Sequence, residues 1–235
     1  MQQRLASPAL PIPAVLAWGP AEPGVYFCIS EQAAGVTLED ADEITVMGTL
    51  DVTLDVLAAI HRAAIDWTSG FGVLDVDGRA PFRTWREHLR GLAAGEEQAL
   101  GAVLGAEAPT LLRRYHTLIR ECPEERELIH RDFGSNNVLT DGIGITAVLD
   151  WDAAGCGDPL YDVGTALFWR TWLTCFDRLY ERCKVRLGYL PRFAPRVLTY
   201  AIAVGFAEIA SSATEGNDRQ MEWDARRCLA LLAEA

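Results

Sequence analysis

The amino-acid sequence predicts an α+β fold in which helices dominate and the strands come as short hairpins. Three observations carry this reading. Two extended apolar segments flank GPAEPG near the start, a second short apolar pair flanks DGIG at 141–144, and most of the remainder repeats apolar residues at three- and four-residue steps. With 235 residues, 50% apolar and 23% charged, the chain has enough material for one large core or two small ones.

The opening segment is extended because Pro8, Pro11 and Pro13 exclude helix, after which AVLAW and VYFCIS read as a β-hairpin over residues 8–34. Gly35 and the acidic Glu39, Asp40, Asp42 and Glu43 form a polar connector. From about Thr45 to Trp67 the apolar positions Leu50, Leu54, Leu57, Ile60, Ala64 and Trp67 predict an amphipathic helix, with His61 beside the stripe as a hydrogen-bonded core residue. TSGFGVLDVDGRAP (68–81) is glycine-rich but neither follows a strand nor opens a helix, so it reads as a structured loop. Further helices are expected from near Pro81, from Ala108 to Glu121 with Arg113, Arg114 and Arg120 solvated, from Pro159 to Arg182, from Arg192 to Ala213, and from Trp223 to Glu234. The aromatics of the third (Tyr161, Phe168, Trp169, Trp172, Phe176, Tyr180) are read as core packing.

Charge and composition narrow the function. Thirty-three acidic against 21 basic residues give net −12, which disfavours nucleic acid; such a surface attracts cations, although charge by itself is more simply read as serving solubility. The six cysteines, at 28, 122, 156, 175, 183 and 228, form no Cys-x-x-Cys pair, so neither zinc nor redox chemistry is indicated. MQQRLASPALPIP lacks the pattern of a secretory leader, and the longest mostly apolar stretch, Val197 to Ala207, is too short to span a bilayer. The expectation is a cytoplasmic protein without a membrane or nucleic-acid partner.

The chemistry is concentrated between Ile129 and Asp158, in IHRDFGSNNVLTDGIGITAVLDWDAAGCGD. Phosphoryl transfer needs a carboxylate to orient the attacking hydroxyl and accept its proton, and hard oxygen ligands for magnesium. Asp132 and Asn137 have the five-residue step of a kinase catalytic loop, and Asp150 ends an apolar strand beyond a hairpin turn. A hairpin centred between residues 143 and 144 sets Asn137 across from Asp150, about 5 Å apart, which suits two ligands of one cation. His130 braces the loop. Asp158 either caps the following helix, the favoured role, or holds the loop, and Asp152 is either a second metal ligand or solvated. The set predicts a hydroxyl-activating, Mg2+-binding site of a kinase-like phosphotransferase.

CISEQAAGVTL, TSGFG, TWREHL, DFGSNNVLTD, ITAVLDW and FWRTWLTC resemble the aminoglycoside phosphotransferase family over nearly the whole chain. The resemblance implies a protein-kinase-like fold, with ATP and Mg2+ as cosubstrates and a small cationic hydroxyl-bearing compound as acceptor. It makes Asp132 the catalytic base and Asn137 and Asp150 the metal ligands, and sets Ser30, Glu31, Gln32 and Ala33 against the adenine. It also implies a division into residues 1–34, a remnant of the nucleotide-binding lobe reduced to about two strands plus the hinge, and residues 35–235, the helical catalytic and substrate-binding lobe. Asp162, Asp177 and Glu208 are candidates for substrate ammonium groups. The family's glycine-rich loop and strand lysine precede the segment matching PIPAVLAW, and the sole lysine, Lys184, lies far beyond it. Two further expectations follow: impaired activity, or a non-catalytic remnant that binds a small cation or a protein partner, and self-association through an exposed N-terminal strand edge. A kinase of another small hydroxyl compound, such as a sugar or choline, would share every catalytic residue.

Overall fold

The computed structural model describes residues 2–22 and 25–234. A single helical turn, α1 (Gln2–Leu5), precedes the expected hairpin of β1 (Val15–Glu22) and β2 (Val25–Ser30), which pair antiparallel from Val15↔Ser30 to Glu22↔Val25. Pro23 and Gly24, the end of the predicted GPAEPG turn, lie outside the described residues. Both faces of this pair are largely exposed, Trp18 and Tyr26 to 72% and 70%.

Two three-stranded sheets position the stretch from Ile129 to Asp158. In one, β6 (Val138–Thr140) lies between β3 (Val36–Thr37) and β7 (Ile145–Val148). In the other, β8 (Gly155–Gly157) lies between β4 (Gly72–Val73) and β5 (Glu127–Ile129). Strands β3, β4, β5 and β8 were not foreseen, since two or three residues are too few to show a period. Gly157 is fixed by close approach: a Cβ there would lie 2.4 Å from the ring of Trp85.

The helices depart from expectation mainly at their ends. Helix α2 (Glu43–His61) begins where Asp42 accepts from the Thr45 N–H at 2.7 Å. It stops before Ala64 and Trp67, which belong instead to the loop whose Gly78 packs on the Trp67 ring. Helix α3 (Trp85–Ala94) starts four residues after Pro81 because Thr84 and Glu87 form a capping box. Helix α4 (Glu97–Leu104) was not predicted, while α5 (Ala108–Leu118) continues as a tight turn to Glu121 as read.

The single helix expected over 159–182 is two, α6 (Leu160–Trp169) and α7 (Thr174–Leu187). The cause is distant. Arg227, in α9 (Asp218–Glu234), donates to the carbonyls of Leu167 and Phe168 at 3.1 Å each, satisfying the end of α6 from outside. Helix α8 (Phe193–Glu215) is the central element, buried among α6, α9 and α5. It runs two residues past Ala213, to Glu215, and is capped by Gly216, whose φ is 70°, and α9 begins five residues before Trp223, where Asn217 accepts from the Gln220 N–H. Helices α2 and α8 are each long and apolar enough to cross a membrane by length and composition, contrary to the reading of Val197 to Ala207. In α8 the apolarity serves the core, since 67% of its most apolar window is buried.

Candidate active site

The loop from His130 to Asn137 leaves β5 and enters β6 under several constraints. His130 is fully buried, and its Nε2–H donates to the Leu149 carbonyl at 2.8 Å while Nδ1 accepts from the Asp132 N–H at 3.3 Å. The ring therefore ties the loop to the end of β7 in its neutral form, as a brace. Gly134 has φ 134°, and a Cβ on it would lie 2.5 Å from the Phe176 ring, so the turn accepts only glycine without rearrangement. Among the described residues four non-glycine residues have positive φ, and Arg131, Ser135 and Asp150 of these lie in this stretch. Strain gathered here marks a conformation imposed by its surroundings.

Asp132 is half-buried, and its Oδ2 accepts from Asn137 Nδ2 at 2.6 Å. Burial pushes its carboxyl above the ordinary range, His130 and the Asn137 bond oppose this, and Asp152 and Asp162 reinforce it. The β6–β7 register pairs Val138 with Val148, one step from the expected centre. Asn137 thus faces Leu149, whose N–H donates to the Asn137 carbonyl at 2.8 Å, and not Asp150. Asp150 is the next residue, and its left-handed φ of 55° turns the chain after the strand pair. Its carboxyl is also raised, by desolvation first and then by Asp152 and Asp132.

Among the described residues none of Asp132, Asp150 and Asp152 has an arginine or lysine partner, and the Asn137 amide oxygen has no hydrogen-bond donor. Nor do three His, Cys, Asp or Glu side chains converge as a closed metal cage. Oxygen groups left without basic partners, carboxylates and an amide oxygen, match a hard cation that keeps part of its shell for water and phosphate oxygens. Asp150 and Asp152 also line a cleft of about 610 Å³ whose opposite wall is Val15, Trp18 and Cys28 of the β1–β2 pair. Ser30, Glu31, Gln32 and Ala33 stand at the end of β2 outside this lining, and the Glu31 N–H is already donated to the Ala14 carbonyl at 2.9 Å.

The remaining candidates separate by burial. Asp162 is 1% exposed, and accepts from Arg131 N–H at 2.6 Å, His130 N–H at 3.2 Å and His61 Nε2 at 2.9 Å. It has no face left for a substrate; it holds the 130–137 loop, which corrects its candidacy for a substrate ammonium group. Its partnership with His61 also accounts for that histidine. Asp158 accepts from the Leu160 N–H at 3.0 Å, as a cap would, and also binds Arg196 at 2.7 and 2.9 Å and the Tyr200 hydroxyl. Asp177 is neutralised by Arg170 at 2.5 Å. Glu208 has no ion-pair partner among the described residues, and burial together with Asp224, Asp132 and Glu215 pushes its carboxyl up to about 7. Sequence reasoning missed the loop anchors at Asp162 and Glu39, the latter accepting from Ser135 Oγ at 2.5 Å. Only the proximity of an Asp four residues after Asp158 hinted at the first.

A loop in which Asn137 is bonded to Asp132, running into the β6–β7 hairpin beside a cleft walled by the β1–β2 pair, fits a kinase-like phosphotransferase fold. Residues 1–197 match the family described as Phosphotransferase enzyme family, and the chain belongs to it. The chain is 35% identical to hygromycin-B 4-O-kinase of Escherichia coli across 98% of its own length and 68% of that protein. Among solved structures it is similar to a thermostable mutant of aminoglycoside phosphotransferase APH(4)-Ia in ternary complex with ADP and hygromycin B, with TM-score 0.91, 36% identity, and 98% and 79% of the two chains covered. A choline/ethanolamine kinase family protein from Mesorhizobium loti shares the fold at TM-score 0.66 and 17% identity, covering 98% of this chain and 77% of its own.

Proposed function

We propose that this chain transfers the γ-phosphoryl group of ATP to a hydroxyl of an aminoglycoside such as hygromycin B. The observation that carries the reading is the 2.6 Å bond from Asn137 to Asp132 Oδ2. It fixes one carboxylate oxygen and leaves the other to orient the acceptor hydroxyl and take its proton. The same bond commits the Asn137 amide nitrogen, so its oxygen, with Asp150, is the side that would hold Mg2+. Bound there, Mg2+ supplies neutralisation of phosphate charge as transfer proceeds. The cleft between Asp150 and β1–β2 is of a size to take a nucleotide, and the net charge of −12 favours a cationic acceptor. Free thiols at all six cysteines suit the cytoplasm. The test is ATP turnover with hygromycin B and related aminoglycosides, in the wild type and in Asp132→Ala. Turnover should fall by about 10²–10⁴-fold in the variant; unchanged turnover would sink the assignment.

A second reading, a non-catalytic remnant that binds a small cation or a protein partner, has one observation in its favour. Lys184, the only lysine, is on α7, pairs with Glu181 at 2.8 Å and is absent from the lining of the cleft beside Asp150. Calorimetry with Mg-ATP separates the two, since clear magnesium-dependent nucleotide binding supports the enzyme.

A further inference from the structure

The one buried side-chain polar atom without a partner among the described residues is Nδ1 of His88, on α3. His88 is 4% exposed, stacked on Trp85 with ring centroids 5.0 Å apart, and tilted against Phe82 at 5.2 Å. Its Nε2 lies 2.8 Å from Arg131 Nη1. A guanidinium only donates, so Nε2 must be the unprotonated acceptor and the proton must sit on Nδ1. There it faces Gly72, where even a Cβ would come within 2.9 Å. An apolar ring would fill this pocket without an orphaned donor. Packing therefore does not explain histidine here, and the Nε2 lone pair does.

The recipient of that lone pair is the residue preceding Asp132. Arg131 has φ 75°, and α6 holds its other atoms: Asp162 takes its N–H at 2.6 Å, Thr165 donates to its carbonyl at 3.1 Å, and Tyr161 lies under its guanidinium at 4.8 Å. His88 is the anchor from outside α6. Arg131 makes no ion pair among the described residues, so the His88 bond is the hydrogen bond that fixes the guanidinium over the Tyr161 ring. We propose that His88 is a positioning residue, a neutral acceptor that locks Arg131 in its left-handed conformation and thereby aims the Asp132 carboxylate.

This inference rests on Asp132 being the base, and the experiment keeps the two apart. Steady-state turnover of ATP with hygromycin B is measured for wild type, Asp132→Ala, His88→Phe and His88→Gln, and the ring tautomer of His88 is read by ¹⁵N NMR of the wild type. His88→Phe should lower kcat by about 10- to 100-fold with both KM values within about twofold, because the carboxylate is misaimed while both substrates still bind. His88→Gln, which returns an acceptor oxygen, should recover to within about threefold of wild type. The NMR should show the proton on Nδ1. The proposal is overturned if His88→Phe turns over like wild type, if Phe and Gln are equally impaired, or if the proton is on Nε2. The tautomer decides the matter even if His88→Phe does not fold. Full turnover in Asp132→Ala would instead remove the base assignment, whatever His88 does.

Discussion

The chain contains two antiparallel hairpins of opposite character. β1–β2 has the longer strands, eight and six residues, yet its side chains are nearly all exposed. β6–β7 has strands of three and four residues and is largely buried, with β3 on one side and Pro11 accepting from the Val148 N–H at 2.8 Å on the other. Regular pairing is thus richest where the fold needs it least. The short hairpin is specified by what surrounds it, through the His130–Leu149 bond, the Ser135–Glu39 bond and the Asp162 anchor. Functional geometry in this protein comes from tertiary enclosure and owes little to local strand propensity.

Perturbations on the two sides should therefore differ in size. The largest effect is expected from Asp162→Ala, which strips acceptors from His130, Arg131 and His61 in a buried site and should cost about 3–5 kcal/mol in urea unfolding. A cost below about 1 kcal/mol would break the contrast between the hairpins. Next comes Gly134→Ala, at about 2–4 kcal/mol, because it combines a positive φ with a clash on buried Phe176; a thermal midpoint unchanged from wild type would refute it.

Glu208 gives a smaller, pH-dependent test. Its carboxyl ionises near 4.5 when unfolded but at about 7 in the fold, so the folded state binds the proton more tightly, and its contribution to stability declines as pH rises from 4.5 to 7. Glu208→Gln should leave stability near pH 4.5 unchanged and raise it by about 1–3 kcal/mol at pH 8. Equal denaturation midpoints for the two proteins at pH 8 would count against a half-buried, unpaired Glu208. The smallest effect belongs to the other hairpin: Trp18→Ser, at a residue 72% exposed, should change stability by no more than about 0.5 kcal/mol. A larger loss would show that β1–β2 is packed against something.

Much of the site was legible in the sequence because its spacing is local. Asp132 and Asn137 are five residues apart on one loop, and their bond needs no distant partner to be anticipated. The turn at DGIG was equally readable, with Asp141 accepting from the Ile143 and Gly144 N–H groups at 2.9 Å each. The register was off by one step, since the irregular pairing between Leu139 and Thr140 is set by the turn's own hydrogen bonds and leaves no mark in apolar alternation.

By itself, then, the sequence determined the helical periodicity, the motif and the family, all of them patterns within a few residues of one another. The tertiary structure alone decided that Asp162 anchors the loop, that Arg227 divides one aromatic stretch into two helices, that Asp150 turns through a left-handed conformation, and that His88 meets Arg131. For the Asp162, Arg227 and His88 contacts the physical reason is the same. A buried polar group must find a partner wherever the fold brings one, and here the partners lie 31 to 101 residues apart, beyond any local pattern.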